Sequence, residues 1–154
     1  MFEVLMYLFE NFMNSGNLQA EKIEKDELAE IGFLQKDIQR ALKWIELFSL
    51  LKEDYIKLEN GSMPHNRVFN THEKAKLGVA GEGFLHHLSL SGFNSPAMRE
   101  LMINSIMALD TERVSLEEIK WICFIVITSV NEEERSQLWL ESIVLWDNDE
   151  EIRH

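Results

Sequence analysis

The sequence predicts a mainly α-helical protein: an N-terminal winged-helix-like three-helix unit with a small β-hairpin, packed on a C-terminal four-helix unit. Three observations predict it. Apolar residues recur at three- and four-residue spacing over most of the chain, as a buried helix face requires. Start and stop signals bracket those periodic runs: Gly32 after one, Ser95-Pro96 before another, and Ser115 with Glu118 before a third. Between two of the runs lies a short stretch of strand formers around Asn60-Gly61, a pair that favours tight hairpin turns. Three helices and then a hairpin is the order of a winged helix.

In chain order, residues 2–14 form the first expected helix. Glu3, Tyr7, Glu10 and Asn14 make one narrow polar stripe, while Leu5, Leu8, Phe9 and Phe12 cover the rest. A stripe that narrow places the helix in the core. A short second helix runs from about Glu24 to Ile31. Gly32 suits the left-handed residue that closes it, with Phe33 set to touch Leu28 in a Schellman closure. A third helix spans Gln35 to Leu51 and turns Ile38, Ala41, Leu42, Ile45 and Phe48 inward. The hairpin strands are Asp54–Leu58 and Arg67–Phe69, on either side of Asn60-Gly61 and Pro64.

Thr71 caps a helix to about Leu90 with Leu77, Ala80, Phe84, Leu85 and Leu88 inward. Ser95-Pro96 opens the next, to about Leu109, and the Ser115–Glu118 capping box opens another to about Val130. The β-branched content of that segment would also suit a strand, and the cap decides for helix. Asn131 followed by Glu132, Glu133 and Glu134 starts a last helix carrying Leu138, Trp139, Ile143 and Trp146. The expected division is a winged-helix-like domain over 1–70, a helical domain over 71–146 and a frayed tail over 147–154.

The chain has 154 residues and a formal net charge of −12. That field disfavours long-range attraction to nucleic acid or to an anionic membrane surface. The single cysteine, Cys123, cannot form an intramolecular disulfide. No secretory signal is visible, and the longest apolar run, Trp121 to Ile127, is far too short to span a bilayer. The expected location is therefore the cytoplasm, with no membrane partner.

Candidate sites are few. His65, His72, His86, His87 and His154 include no pair four apart, and adjacent His86 and His87 diverge by about 100° on a helix, so no metal site is expected. Cys123 lies in an apolar run, where a lone cysteine acts as a small hydrophobe. No serine nucleophile motif occurs, and no acid is embedded in an apolar run that would tune it for proton transfer. The glycines in Gly78-Val79-Ala80-Gly81-Glu82-Gly83 fit neither nucleotide-binding spacing and read as close helix packing.

Charge is unevenly distributed. Residues 35–71 carry six basic and five acidic side chains, against two and seven over 1–34 and seven and fifteen over 72–154. Within that window Lys36, Arg40 and Lys43 fall at i, i+4 and i+7 on the outer face of the third helix, with Lys57 and Arg67 on the expected wing. These five form the candidate interaction surface. An exposed basic stripe of this kind is either a solvated or protein-contacting face, or a recognition helix with its wing.

Several segments together carry a resemblance. They are Met1-Phe2-Glu3-Val4-Leu5-Met6-Tyr7-Leu8-Phe9-Glu10, Gly32-Phe33, Asp37-Ile38, Ala41-Leu42 and Trp44, then Gly83-Phe84-Leu85, Arg99-Glu100, Met107-Ala108-Leu109-Asp110 and Leu116-Glu117-Glu118-Ile119-Lys120-Trp121. In this order they resemble the bacterial Smg family, a domain of unknown function. Glu82 and Asn70 depart from it, standing where the family tends to have a basic and an aromatic residue. The resemblance implies an intracellular protein without an established activity, often encoded near DNA-processing genes. The expected function is a non-enzymatic protein-interaction or adaptor module that takes no cofactor and binds another protein. The alternative is a winged-helix regulator contacting DNA or RNA through the third helix. Nothing in the sequence sets the oligomeric state.

Overall fold

The computed structural model describes residues 1–12, 25–59, 68–90 and 95–130. These form six helices: α1 Phe2–Phe12, α2 Lys25–Ile31, α3 Gln35–Glu59, α4 Thr71–Leu90, α5 Pro96–Met107 and α6 Leu116–Val130. The fold is mainly α, as the periodicity predicts. The expected helix from Asn131 and the tail lie outside the described residues.

The end signals work as their chemistry requires. Gly32 has φ +113°, its N–H donates to the Ala29 carbonyl at 3.1 Å, and the Phe33 N–H donates to the Leu28 carbonyl at 3.3 Å. Those two bonds are the Schellman closure. At α5, Pro96 occupies the first turn and the Ser95 hydroxyl accepts the Met98 N–H at 3.1 Å. At α6, the Ser115 hydroxyl accepts the Glu118 N–H at 3.1 Å while Glu118 Oε1 accepts from the Ser115 N–H at 3.4 Å. This reciprocal cap fixes as helix a segment whose β-branched residues also suited a strand.

The hairpin is the main correction. Residues 54–58, expected as its first strand, are the last turns of α3. Tyr55 is buried seven residues beyond Phe48, with half-buried Leu51 between them. The inward stripe thus keeps its helical period past the expected end at Leu51, and that burial outweighs the local strand preference of these residues. Val68 and Phe69, from the expected second strand, lie in neither helix nor strand. Arg67, Asn60-Gly61 and Pro64 lie outside the described residues. There is no strand among the described residues, so neither the expected hairpin nor a winged-helix arrangement is supported there.

Two smaller differences concern α4. Its cap is Asn70 instead of Thr71: Asn70 Oδ1 accepts the Glu73 N–H at 2.8 Å, and Glu73 Oε1 accepts the Asn70 N–H at 3.0 Å. The helix is also kinked at Gly78, where φ +71° and ψ 172° leave the helical region. The buried stripe nevertheless keeps its helical spacing through the kink, from Leu77 to Gly81, Phe84, Leu85 and Leu88. Ala80, expected inward, is exposed, and Gly81 is buried in its stead. A Cβ at Gly81 would stand 2.6 Å from Ile119 Cδ1, so a glycine is what lets α4 and α6 approach.

Buried side chains from all six helices form one cluster. At its centre α3 packs along α5 while also touching α1 and α2; α6 packs on α5, α4 and α1. The Trp44 and Phe48 rings stack on α3 with centroids 5.1 Å apart, and Phe9 meets Phe124 edge-on at 5.5 Å.

Gly32→Ala tests the α2 closure. No atom would meet the added methyl, so the cost is backbone strain alone. A urea titration should show a loss of about 1 kcal/mol or more, and an unchanged midpoint would refute the left-handed closure.

Candidate functional site

A helix ends with four carbonyls that its own ladder cannot satisfy, and those of α5 organise the region beneath the candidate surface. The Asn104 carbonyl accepts the Ala108 N–H at 3.0 Å, and the Ile106 carbonyl accepts the Leu109 N–H at 3.1 Å. The Ser105 carbonyl takes the Trp44 indole N–H from α3 at 2.8 Å, in a fully buried contact. The Met107 carbonyl takes the Lys76 ammonium from α4 at 2.8 Å, and the same ammonium donates to the Leu109 carbonyl. Side chains from two other helices therefore complete the end of α5.

Lys76 is only 6% exposed. Burial lowers its pKa below the ordinary lysine value, and the nearby Asp110 charge opposes that shift. A cation at a helix C-terminus also faces the negative end of the helix dipole. The Lys76 backbone carbonyl, just before the Gly78 kink, accepts the Val114 N–H at 3.0 Å. One residue thus ties both its side chain and its backbone to the segment joining α5 and α6.

Asp110, on that segment, draws in the middle of the basic stripe. Arg40 Nε donates to Asp110 Oδ2 and Arg40 Nη2 to Oδ1, each at 2.6 Å, a two-pronged pairing that fixes the guanidinium plane. Asp37 stands 3.7 Å from Arg40 Nη1. The hydrogen bonds from Arg40 hold the Asp110 carboxyl below the usual carboxylate range, and the same bonds raise the Arg40 pKa.

The candidate residues therefore divide. Lys36 and Lys43 are exposed on α3, and Arg40 between them is half-buried and committed to Asp110. Lys57 belongs to α3 without a described side chain, and Arg67 lies outside the described residues. Continued at the same spacing, the Lys36–Arg40–Lys43 line reaches Leu47 and Leu50, which are 38% and 59% exposed. The outer face of α3 is thus a ridge, basic near its N-terminus and apolar at Leu47 and Leu50, with exposed Glu46, Glu53 and Asp54 beside and beyond the leucines.

The other candidates are placed as follows. Cys123 is fully buried, and burial pushes its thiol pKa far up, so its thiolate is scarce at neutral pH. His72 and His86 are exposed and His87 half-buried, whereas His65 and His154 lie outside the described residues. Among the described residues no three His, Cys, Asp or Glu side chains are grouped to hold a metal ion. No helix there is long and apolar enough to cross a membrane.

Sequence reasoning found the ridge lysines and missed Trp44, Lys76, Ser105 and Asp110 as a connected set. Trp44 and Met107-Ala108-Leu109-Asp110 were visible only as pieces of the family pattern.

Fold and site together define a class: a mainly helical protein whose central helices are joined by a polar seam beneath an outward basic and apolar ridge. The chain belongs to the Smg family. The family model described as "Protein of unknown function (DUF494)" matches residues 1–154. The chain is 37% identical to "Protein Smg homolog" of Methylococcus capsulatus over 145 residues, covering 93% of this chain and 91% of the relative. It is 36% identical to "Protein Smg" of Buchnera aphidicola subsp. Schizaphis graminum over 135 residues, covering 84% and 85%. With "Protein Smg homolog" of Aliivibrio fischeri strain MJ11 it shares 31% identity over the full length of both chains. No solved structure matches the chain.

Two substitutions test the seam. Lys76→Met keeps an unbranched side chain one atom shorter and leaves two carbonyls at the end of α5 without their donor. Thermal or urea unfolding should show a loss of about 1–3 kcal/mol, and a neutral result would mean the ammonium does not close α5. Asp110→Asn tests the ion pair through pH. Because the folded Asp110 pKa is lowered, its contribution is complete above the ordinary carboxylate value and disappears as pH falls through the folded one. The variant should be less stable than the parent at pH 7, and the gap should close as pH falls below the ordinary carboxylate value and through the lowered folded one. A gap independent of pH would exclude this origin.

Proposed function

We propose that this protein is a non-enzymatic cytoplasmic adaptor that binds another protein through the outer ridge of α3. The observation that carries the reading is the line Lys36, Lys43, Leu47 and Leu50, all exposed on one helix face. In a chain of net charge −12, two exposed lysines beside exposed leucines suit a partner that presents acids next to apolar side chains. Complementary charge speeds and orients such an encounter, while apolar burial holds it. Members of one family share a fold, but the function must be argued from the surface itself.

The nucleic-acid alternative finds less support. A recognition helix contacting phosphates would use Arg40, and that guanidinium already satisfies Asp110.

The test uses a ridge variant, Lys36→Glu with Lys43→Glu and Leu50→Asp, and a control, Lys74→Glu, on exposed α4. All three proteins are cross-linked in lysate and assayed on labelled duplex DNA at two salt concentrations. A protein captured by the parent and the control, and lost by the ridge variant, is the expected result. Ridge-dependent DNA binding would overturn the proposal. It would appear as micromolar or tighter affinity at physiological salt, with a log–log salt slope reduced by about two on removing the two lysines. Absence of any ridge-dependent protein capture would overturn it equally.

A further inference from the structure

We propose that a second copy of this chain covers the outer ridge of α3, the two helices pairing antiparallel about a two-fold axis level with the middle of the Leu47–Leu50 interval. The inference rests on the reading of that ridge as a docking surface and names an occupant that competes there with the external partner. The observation that carries it is a symmetry of charge about the two leucines. Along the ridge the order is Lys43, Leu47, Leu50 and Asp54, all exposed. Lys43 precedes Leu47 by four residues, and Asp54 follows Leu50 by the same interval. At about 100° per residue the four fall within about 60° of arc, so they form one strip on a helix that runs from Gln35 to Glu59. Neither Lys43 nor Asp54 has an ion pair among the described residues, in contrast to Arg40, which Asp110 occupies.

Such a strip is its own complement. In a two-fold contact, a residue that meets a second residue of the partner is met by the same pair in reverse. The axis lays Leu47 on the partner's Leu50 and Leu50 on the partner's Leu47. The same operation brings Lys43 to the partner's Asp54 and Asp54 to the partner's Lys43. Two apolar contacts and two ion pairs therefore form together. A parallel pairing would set lysine on lysine and aspartate on aspartate, so the charges select the antiparallel direction.

A chain of net charge −12 repels its own copy at long range. The repulsion is weakest at this strip, because residues 35–71 carry six basic and five acidic side chains. Physiological salt confines what remains to about 8 Å. Glu46 and Glu53 border the strip and are exposed, so water and salt screen them from their counterparts. The contact is small, with two exposed leucines from each copy, and belongs with weak, transient interfaces. A weak dimer suits a surface that has to be vacated. The concentration of the chain sets the fraction of ridges left open, and a partner that binds the open ridge draws the copies apart.

The test is a charge exchange on the purified full chain. Sedimentation velocity at physiological salt follows the parent, Lys43→Glu, Asp54→Lys and the control Lys74→Glu over a micromolar to millimolar concentration series. Circular dichroism confirms that each variant is folded. Expected is a monomer–dimer equilibrium in the parent and the control, weakened about tenfold or more in Lys43→Glu and in Asp54→Lys, where like charges meet across the axis. Mixing those two variants in equal amounts should restore the dimer, because each then supplies the charge the other lacks. Native mass spectrometry should show it as the mixed species. A parent that stays monomeric overturns the proposal, as does a dimer indifferent to both reversals or a mixture that does not recover. Purified protein holds no other partner, so self-association can fail while the ridge still captures a protein from lysate. The exchange can equally succeed when nothing else is captured, and the two readings fail separately.

Discussion

The end of α5 is the constraint on which the arrangement of the central helices depends. Its last carbonyls point toward α3 and α4 in the interior, where an unmatched acceptor costs about 1–3 kcal/mol. Water cannot reach the Ser105 carbonyl, so the Trp44 indole N–H must meet it, and this sets the register of α3 along α5. The Met107 and Leu109 carbonyls need a donor on the other side, and Lys76 supplies it. An aliphatic residue at 76 would leave both carbonyls without this donor. Polar closure, in addition to the apolar cluster, thus determines which faces of α3, α4 and α5 come together.

The Gly78 kink follows from the same requirement. Val114 N–H, on the segment leaving α5, donates to the Lys76 carbonyl. In an unbroken helix that carbonyl would serve the ladder four residues on. The left-handed φ at Gly78 interrupts the ladder there, and the interruption makes the acceptor available. One turn beyond buried Leu77, Gly81, with no side chain, faces Ile119. A sequence with two glycines three residues apart reads as mere packing, yet the two have different duties: one frees an acceptor, the other admits a neighbour.

What the sequence made legible was local. Ser95, Ser115 with Glu118, and Gly32 each act through groups within five residues, and each signal was found in place. The errors were contests between a local preference and a distant partner. Asp54–Leu58 has strand-forming composition, but the place for Tyr55 in the core keeps the helix going. Thr71 and Asn70 are both competent caps, and the choice between them depends on Glu73 reaching back one residue further. The seam itself joins residues 61 and 70 positions apart, as Trp44 with Ser105 and Arg40 with Asp110. Nothing in a single sequence distinguishes those pairs from the many other combinations of the same residue types.

This distinction bears directly on the surface. Lys36, Arg40 and Lys43 are equivalent by spacing, and a basic stripe of three invites comparison with a phosphate-reading helix. The seam makes them unequal. Arg40 is paired with a carboxylate at the surface, and Asp110 offsets its charge. A phosphate arriving there would compete with that carboxylate in a chain already at −12, which is why the proposed reading prefers a protein partner. The two lysines that remain are seven residues apart, with leucines continuing their line. Spaced point charges bordering an apolar stretch orient a partner without demanding a continuous anionic backbone. On the proposed adaptor reading, the ridge discriminates by combination: acid alone finds little to bury, an apolar segment alone finds little to steer it, and a segment carrying both suits it.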